Sequence, residues 1–138
     1  MIGTPDRNTR QLQDVLHRRV LGGVTTFLPG DPALKSATFT TDLFKQARGF
    51  SYEGPTKIVG RRVALGGVGK CSGTAVYVND MKQPEGFVGL DTYVTPDQLL
   101  AVEAYADINF APVQYRGLAI GGGGFKPCSV VLVWTKIP

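Results

Sequence analysis

With 138 residues, of which 43% are hydrophobic and 19% charged, the chain fits a single domain able to bury roughly two-thirds of the surface its unfolded form exposes. Its 18 glycines and 9 prolines mark a loop-rich domain and fall short of a disordered, low-complexity composition. The net charge of +4 is spread without a polybasic run, which argues against a nucleic-acid-binding tail, and no apolar stretch approaches the ~18–20 residues needed to cross a bilayer.

Two cysteines and one histidine are too few for a multi-bridge scaffold or a convincing zinc site. Cys71 and Cys128 are therefore either a pair or two buried thiols. The first seven residues lack the basic start and apolar core of a secretory signal, so the chain is either cytoplasmic or an exported one whose signal has been removed.

In chain order, Asn8 or Thr9 caps a helix with Leu12, Val15, Leu16 and Val20 at helical spacing, and Gly22-Gly23 stops it. Arg10, Asp14, Arg18 and Arg19 read as its solvated face, and His17 as a surface or edge residue. The proline-punctuated turn Pro29-Gly30-Asp31-Pro32 separates it from a second helix with Phe39, Leu43, Phe44 and Ala47 as stripe, Thr40 or Thr41 as cap and Gly49 as stop. The stretch 56–65 reads as a strand kinked at Gly60.

The second half opens and closes on a cysteine leading into a strand. Val76 and Val78 follow Cys71, and Val130, Val131, Leu132, Val133 and Trp134 follow Cys128, all β-branched, apolar or aromatic residues in short runs bounded by turn formers. Between them lie the turn cluster 79–86, a helix start at Thr95-Pro96-Asp97-Gln98, the strand Ala101-Val102-Glu103-Ala104-Tyr105 and a glycine loop.

Gly66-Gly67-Val68-Gly69-Lys70-Cys71-Ser72 imitates a phosphate-binding loop, yet Ala64 stands where a glycine is needed and Cys71 where Ser or Thr should follow the lysine. A strand follows it where a helix N-terminus should face the phosphates. No pattern sets a base beside a nucleophile. Asp97 and Glu103 are near in sequence, but Asp97 reads as a helix-start charge. The residue pattern thus points to a chain that is no enzyme and binds no cofactor, metal or nucleic acid. Tyr93, Tyr105, Phe110 and Tyr115 cluster near Arg116, and core packing is the first reading of those rings.

The order Tyr77-Val78-Asn79-Asp80, Thr95-Pro96-Asp97-Gln98-Leu99, Ala101-Val102-Glu103-Ala104-Tyr105 and Val131-Leu132-Val133-Trp134-Thr135-Lys136 resembles the plug domain of TonB-dependent outer-membrane receptors. In that family a strand ending in an Asp-Gly-like turn precedes a Pro-Asp helix start, a "VEVY"-like strand and a last strand ending in Thr-Lys or Thr-Arg. The stretch 42–50 is similar to the plug's second helix, with Arg48 where a proline usually stands. With Arg18-Arg19, Gly22-Gly23 and Thr26-Phe27, the likeness runs from about residue 10 to 136. Asn79-Asp80-Met81 departs from the usual turn, and the run 121–124 is richer in glycine than a typical plug.

The resemblance implies an α+β fold, a small mixed sheet with flanking helices, in one domain spanning 1–138. It is nearest to a stand-alone variant with cysteines at the positions of Cys71 and Cys128, which implies a disulfide between them. It also implies a periplasmic or outer-membrane location and a protein partner in the cell envelope. The function implied is ligand recognition or gating with a separate barrel; alternatively, the fold is reused as a periplasmic interaction or structural subunit. Binding residues concentrate on loops that a rigid sheet positions. The loops 79–86, 107–116 and 119–127 then offer Lys82, Phe110, Tyr115, Arg116, Phe125 and Lys126 as contacts to a partner.

Overall fold

The computed structural model describes residues 7–54, 57–60, 73–116 and 127–136. The phosphate-loop look-alike, the glycine loop, Cys71, Phe125 and Lys126 lie outside the described residues.

Helix α1 runs Arg7–Leu21 and stops where Gly22 and Gly23 turn to φ 86° and 74°, the left-handed backbone that glycine tolerates best. Strand β1 (Thr25–Phe27) follows. A short helix, α2 (Pro32–Ser36), then starts on the last proline of the expected turn 29–32, a residue pre-organised for the first helical turn. The expected second helix is a 3-10 helix over Thr40–Lys45. Asp42 accepts the N–H groups of Thr38 and Phe39 at 3.1 and 2.9 Å and closes its start. Strands β2 (Phe50–Tyr52) and β3 (Ile58–Gly60) form a separate antiparallel pair.

The second half holds β4 (Thr74–Val78), β5 (Met81–Lys82), the one-turn helix α3 (Leu90–Tyr93), a 3-10 turn at Pro96–Gln98, β6 (Leu99–Tyr105) and β7 (Ser129–Thr135). Two further 3-10 turns, Ile108–Phe110 and Val113–Tyr115, follow β6. Among the described residues, five strands form one sheet in the order β1-β6-β7-β4-β5. The β4 and β7 strands are parallel and the other pairs antiparallel. The fold is therefore α+β, a small mixed sheet with helices on its faces.

Alternation along the strands separates two cores. Val76, Val102, Ala104, Val131 and Val133 point to one face and pack with Leu43, Phe44, Phe87 and Leu90, where the rings of Phe44 and Phe87 meet edge to face at 5.0 Å. Ala101, Tyr105, Val130, Leu132 and Trp134 point to the other, beneath Val15 of α1 and the turns carrying Ile108, Ala111 and Tyr115. Strand β7 is buried on both faces, which is why its run is continuously apolar rather than alternating.

The expected stripe of α1 needs correction. Val15 is its only fully buried residue, while Leu16 is 44% and Val20 85% exposed. Burying one valine stabilises by roughly 1.5–3 kcal/mol, a modest anchor for a helix of 15 residues. Arg18, read as solvated, supplies a second anchor.

Candidate functional site

Glu103 lies in the middle of β6 with a side chain 0% exposed. An ionised carboxylate in an apolar core is costly unless charge and hydrogen bonds compensate it, and here both do. Arg18 donates from Nε to Oε1 at 2.7 Å and from Nη2 to Oε2 at 2.8 Å. Tyr105 Oη donates at 3.0 Å and Trp134 Nε1 at 2.8 Å, and the Arg18 guanidinium sits 5.9 Å from the Trp134 ring centre. The hydrogen bond to Glu103 holds Arg18 still more firmly protonated than usual. Burial, followed by the charge of Glu103, pushes the Tyr105 phenol up from its ordinary value. With both oxygens engaged and no exposed surface, this carboxylate fastens α1 to the sheet and has no opening to a substrate.

A second set of polar ties surrounds the β4–β5 hairpin. Asn79 and Asp80 both have positive φ, 50° and 70°, the backbone of a tight two-residue hairpin turn whose twist matches the strands. Asn79 exchanges two hydrogen bonds with Thr135 at the end of β7, at 2.7 and 3.0 Å. Asp80 accepts from the Tyr115 hydroxyl. The departure from an Asp-Gly turn thus supplies two side chains that pin the hairpin to its neighbours.

The proposed contact residues separate on the same geometry. Tyr115 is a correction: it is 6% exposed, its ring meets Tyr77 at 5.0 Å and its hydroxyl is spent on Asp80, so it is a packing residue. Burial, then the bond to Asp80, raises its phenol pKa. Arg116 is occupied as well, donating to the carbonyls of Ala111 and Asn109 at 2.9 and 3.1 Å and so holding the turn together. Lys82 is exposed on the edge strand β5, and Phe110 is 55% exposed. These two remain available to a partner, but they do not share a strand or a turn.

Phe110 instead borders a groove that sequence reasoning missed. Gly23, Val24 and Thr25 at the start of β1, Arg48 and Gly49, and Ala104, Ala106 and Asp107 along and after β6 line it with Phe110, enclosing about 320 Å³. The fragments come from three separate stretches, 23–25, 48–49 and 104–110, so no spacing in the sequence announces it. Among the described residues no group of three or more His, Cys, Asp or Glu could hold a metal ion, and no helix is long and apolar enough to cross a membrane.

Comparison of the chain with protein-family models, with curated proteins and with solved structures finds no match.

Proposed function

We propose that this chain is a non-enzymatic, plug-like domain of the bacterial cell envelope that acts in ligand recognition or gating beside a separate outer-membrane barrel. The observation that carries the reading is the common use of the family-like stretches. The Tyr77-Val78-Asn79-Asp80 turn, the strand holding Glu103 and Tyr105, and the closing Trp134-Thr135 belong to a single sheet and its hairpin, and the Thr95-Pro96-Asp97-Gln98 start is hydrogen-bonded to its end. Gln98 accepts the Thr95 N–H at 3.0 Å and Lys136 N donates to the Gln98 carbonyl at 2.8 Å, so the helix start is tied to the last strand. A chemistry-bearing alternative finds less support, since the most heavily bonded carboxylate, Glu103, is sealed.

The implied disulfide belongs to the same proposal. Cys128 is buried, and its N–H donates to the Gly73 carbonyl at 2.9 Å. Cys71 precedes Gly73 by two residues, a separation the chain spans in about 7 Å. That nearness supports pairing at the head of the parallel β4–β7 ladder.

The test is to tag the chain in its native bacterium, solubilise the envelope with mild detergent and identify what copurifies. A heat-modifiable β-barrel protein is expected. Recovery in the cytoplasm with nucleic acid or with a metabolic enzyme contradicts the proposal. Recovery with a periplasmic or inner-membrane assembly lacking a barrel replaces gating by the interaction-subunit reading.

A further inference from the structure

The groove at the β1 edge is built from residues that leave space by necessity. Gly23 has φ +74°, and a Cβ there would lie 2.4 Å from Phe110 Cγ; Gly49 has φ +80°, and a Cβ there would lie 2.7 Å from the Ala106 Cβ. Glycines and alanines therefore line it together with Phe110 and Arg48.

Three features constrain what could occupy it. The groove is concave, and at about 320 Å³ it lies at the lower end of small-molecule pockets, a volume suited to one inserted side chain with its backbone. Its border is a sheet edge: β1 pairs only over Thr25–Phe27, opposite Ala104 to Val102, while β6 continues to Tyr105. An extended segment can add to such an edge through main-chain bonds while its side chains enter neighbouring pockets.

Charge supplies the third feature. Arg48 is exposed, and among the described residues its guanidinium has no hydrogen-bond or ion-pair partner, only its backbone N–H being used, on Thr25 Oγ1 at 3.0 Å. The nearby Asp107 carboxylate already accepts the Asn109 N–H at 2.9 Å. Phe110, which lines the groove, is 55% exposed and so leaves an aromatic face open to a partner. A bilayer meets convex apolar faces, so the concavity favours a polypeptide.

We infer that this groove docks an extended acidic segment of a partner protein, which places one apolar side chain against Phe110 and one carboxylate on Arg48. The inference uses no part of the plug-like reading and stands or falls with the groove.

The experiment selects a displayed library of random decapeptides on the immobilised full chain, then measures a synthesised winner by calorimetry. Enriched peptides carry an aromatic or aliphatic residue flanked by Asp or Glu. Phe110→Ser and Arg48→Glu, both at exposed positions, each weaken binding at least about tenfold, the loss expected when a contact that carries energy is removed. Replacing the peptide's acid by Lys restores binding to the Arg48→Glu chain. Thermal melts that match the unaltered chain show that both variants are folded. Failure to enrich such peptides, or binding indifferent to both substitutions, overturns the inference. So does a Phe110-dependent dimer in sedimentation, or Phe110-dependent binding to phosphatidylglycerol vesicles, since either makes the occupant something other than an acidic segment.

Discussion

Arg18 and Glu103 stand 85 positions apart and meet at 2.7 Å, and breaking their contact should cost far more than an exposed ion pair. Replacing Arg18 by Met leaves a carboxylate buried without a counter-charge, a loss of about 3–5 kcal/mol. Adding Glu103→Gln removes the stranded charge and keeps one acceptor oxygen, for Trp134, with the amide N–H able to donate to the Tyr105 hydroxyl, so the double variant should regain part of that loss. Urea denaturation of the two variants checks this; equal stabilities would contradict a buried ionised carboxylate. The two buried phenols give a second signature. Tyr105 and Tyr115 have folded-state pKa values raised above about 10, the unfolded value. Their stabilisation is complete below about pH 10 and is lost as the pH climbs toward the folded values. In an alkaline titration, two of the five tyrosines should ionise only as the protein unfolds. Sequence alone could flag Glu103 as an acid inside an apolar strand, but its partner required the three-dimensional fold, because Arg18 reads locally as one more charge on a helix.

Elements were legible where the pattern was long. The strands around Val76, Val102 and Val131 and the helix ending at Gly22 carry several consecutive signals each. Strand β1 and strand β2 are three residues long with one buried residue apiece, Phe27 and Phe50, too short for periodicity to speak. The Phe39, Leu43, Phe44 and Ala47 stripe announced a helix, yet Phe39 is 56% exposed and the element is a 3-10 helix closed by Asp42. The N–H group of Phe39 first, then Lys45 and the N–H of Thr38, hold the Asp42 carboxyl below its usual range. Its stabilising contribution is present above the unfolded value near pH 4 and disappears as pH falls through the lower folded value. Asp42→Asn should flatten that acid limb in a pH series of thermal melts; an unchanged limb contradicts the role. At the hairpin, Asn79→Ala loses both bonds to Thr135 and leaves at positive φ a residue that tolerates it less well than asparagine, for about 1–3 kcal/mol. The cysteines act at this scale too. Thiol titration of denatured, unreduced protein should find no free sulfhydryl, and Cys71→Ser with Cys128→Ser should cost roughly 4 kcal/mol, the chain-entropy value for a loop of this length. Two free sulfhydryls in exported material would falsify the pairing.

At the scale of the molecule, the sheet divides labour between its edges. The β4–β5 edge is tied by Asn79, Asp80 and Tyr115, while the β1 edge keeps the open groove beside Phe110. Tyr115→Ala should therefore destabilise the fold, whereas Phe110→Ala should leave the melting temperature within a few degrees and weaken partner capture. The sequence suggested a loop-borne aromatic anchor but could not separate these two rings, because burial under a turn and exposure beside it have the same composition. Position-specific photo-crosslinking in intact cells addresses the plug-like reading most directly, with the probe at Phe110 and, separately, at Lys82 on the opposite edge. The expected result is that at least one position crosslinks to an outer-membrane β-barrel. Crosslinks to cytoplasmic proteins alone, or to no envelope protein from either edge, would contradict it.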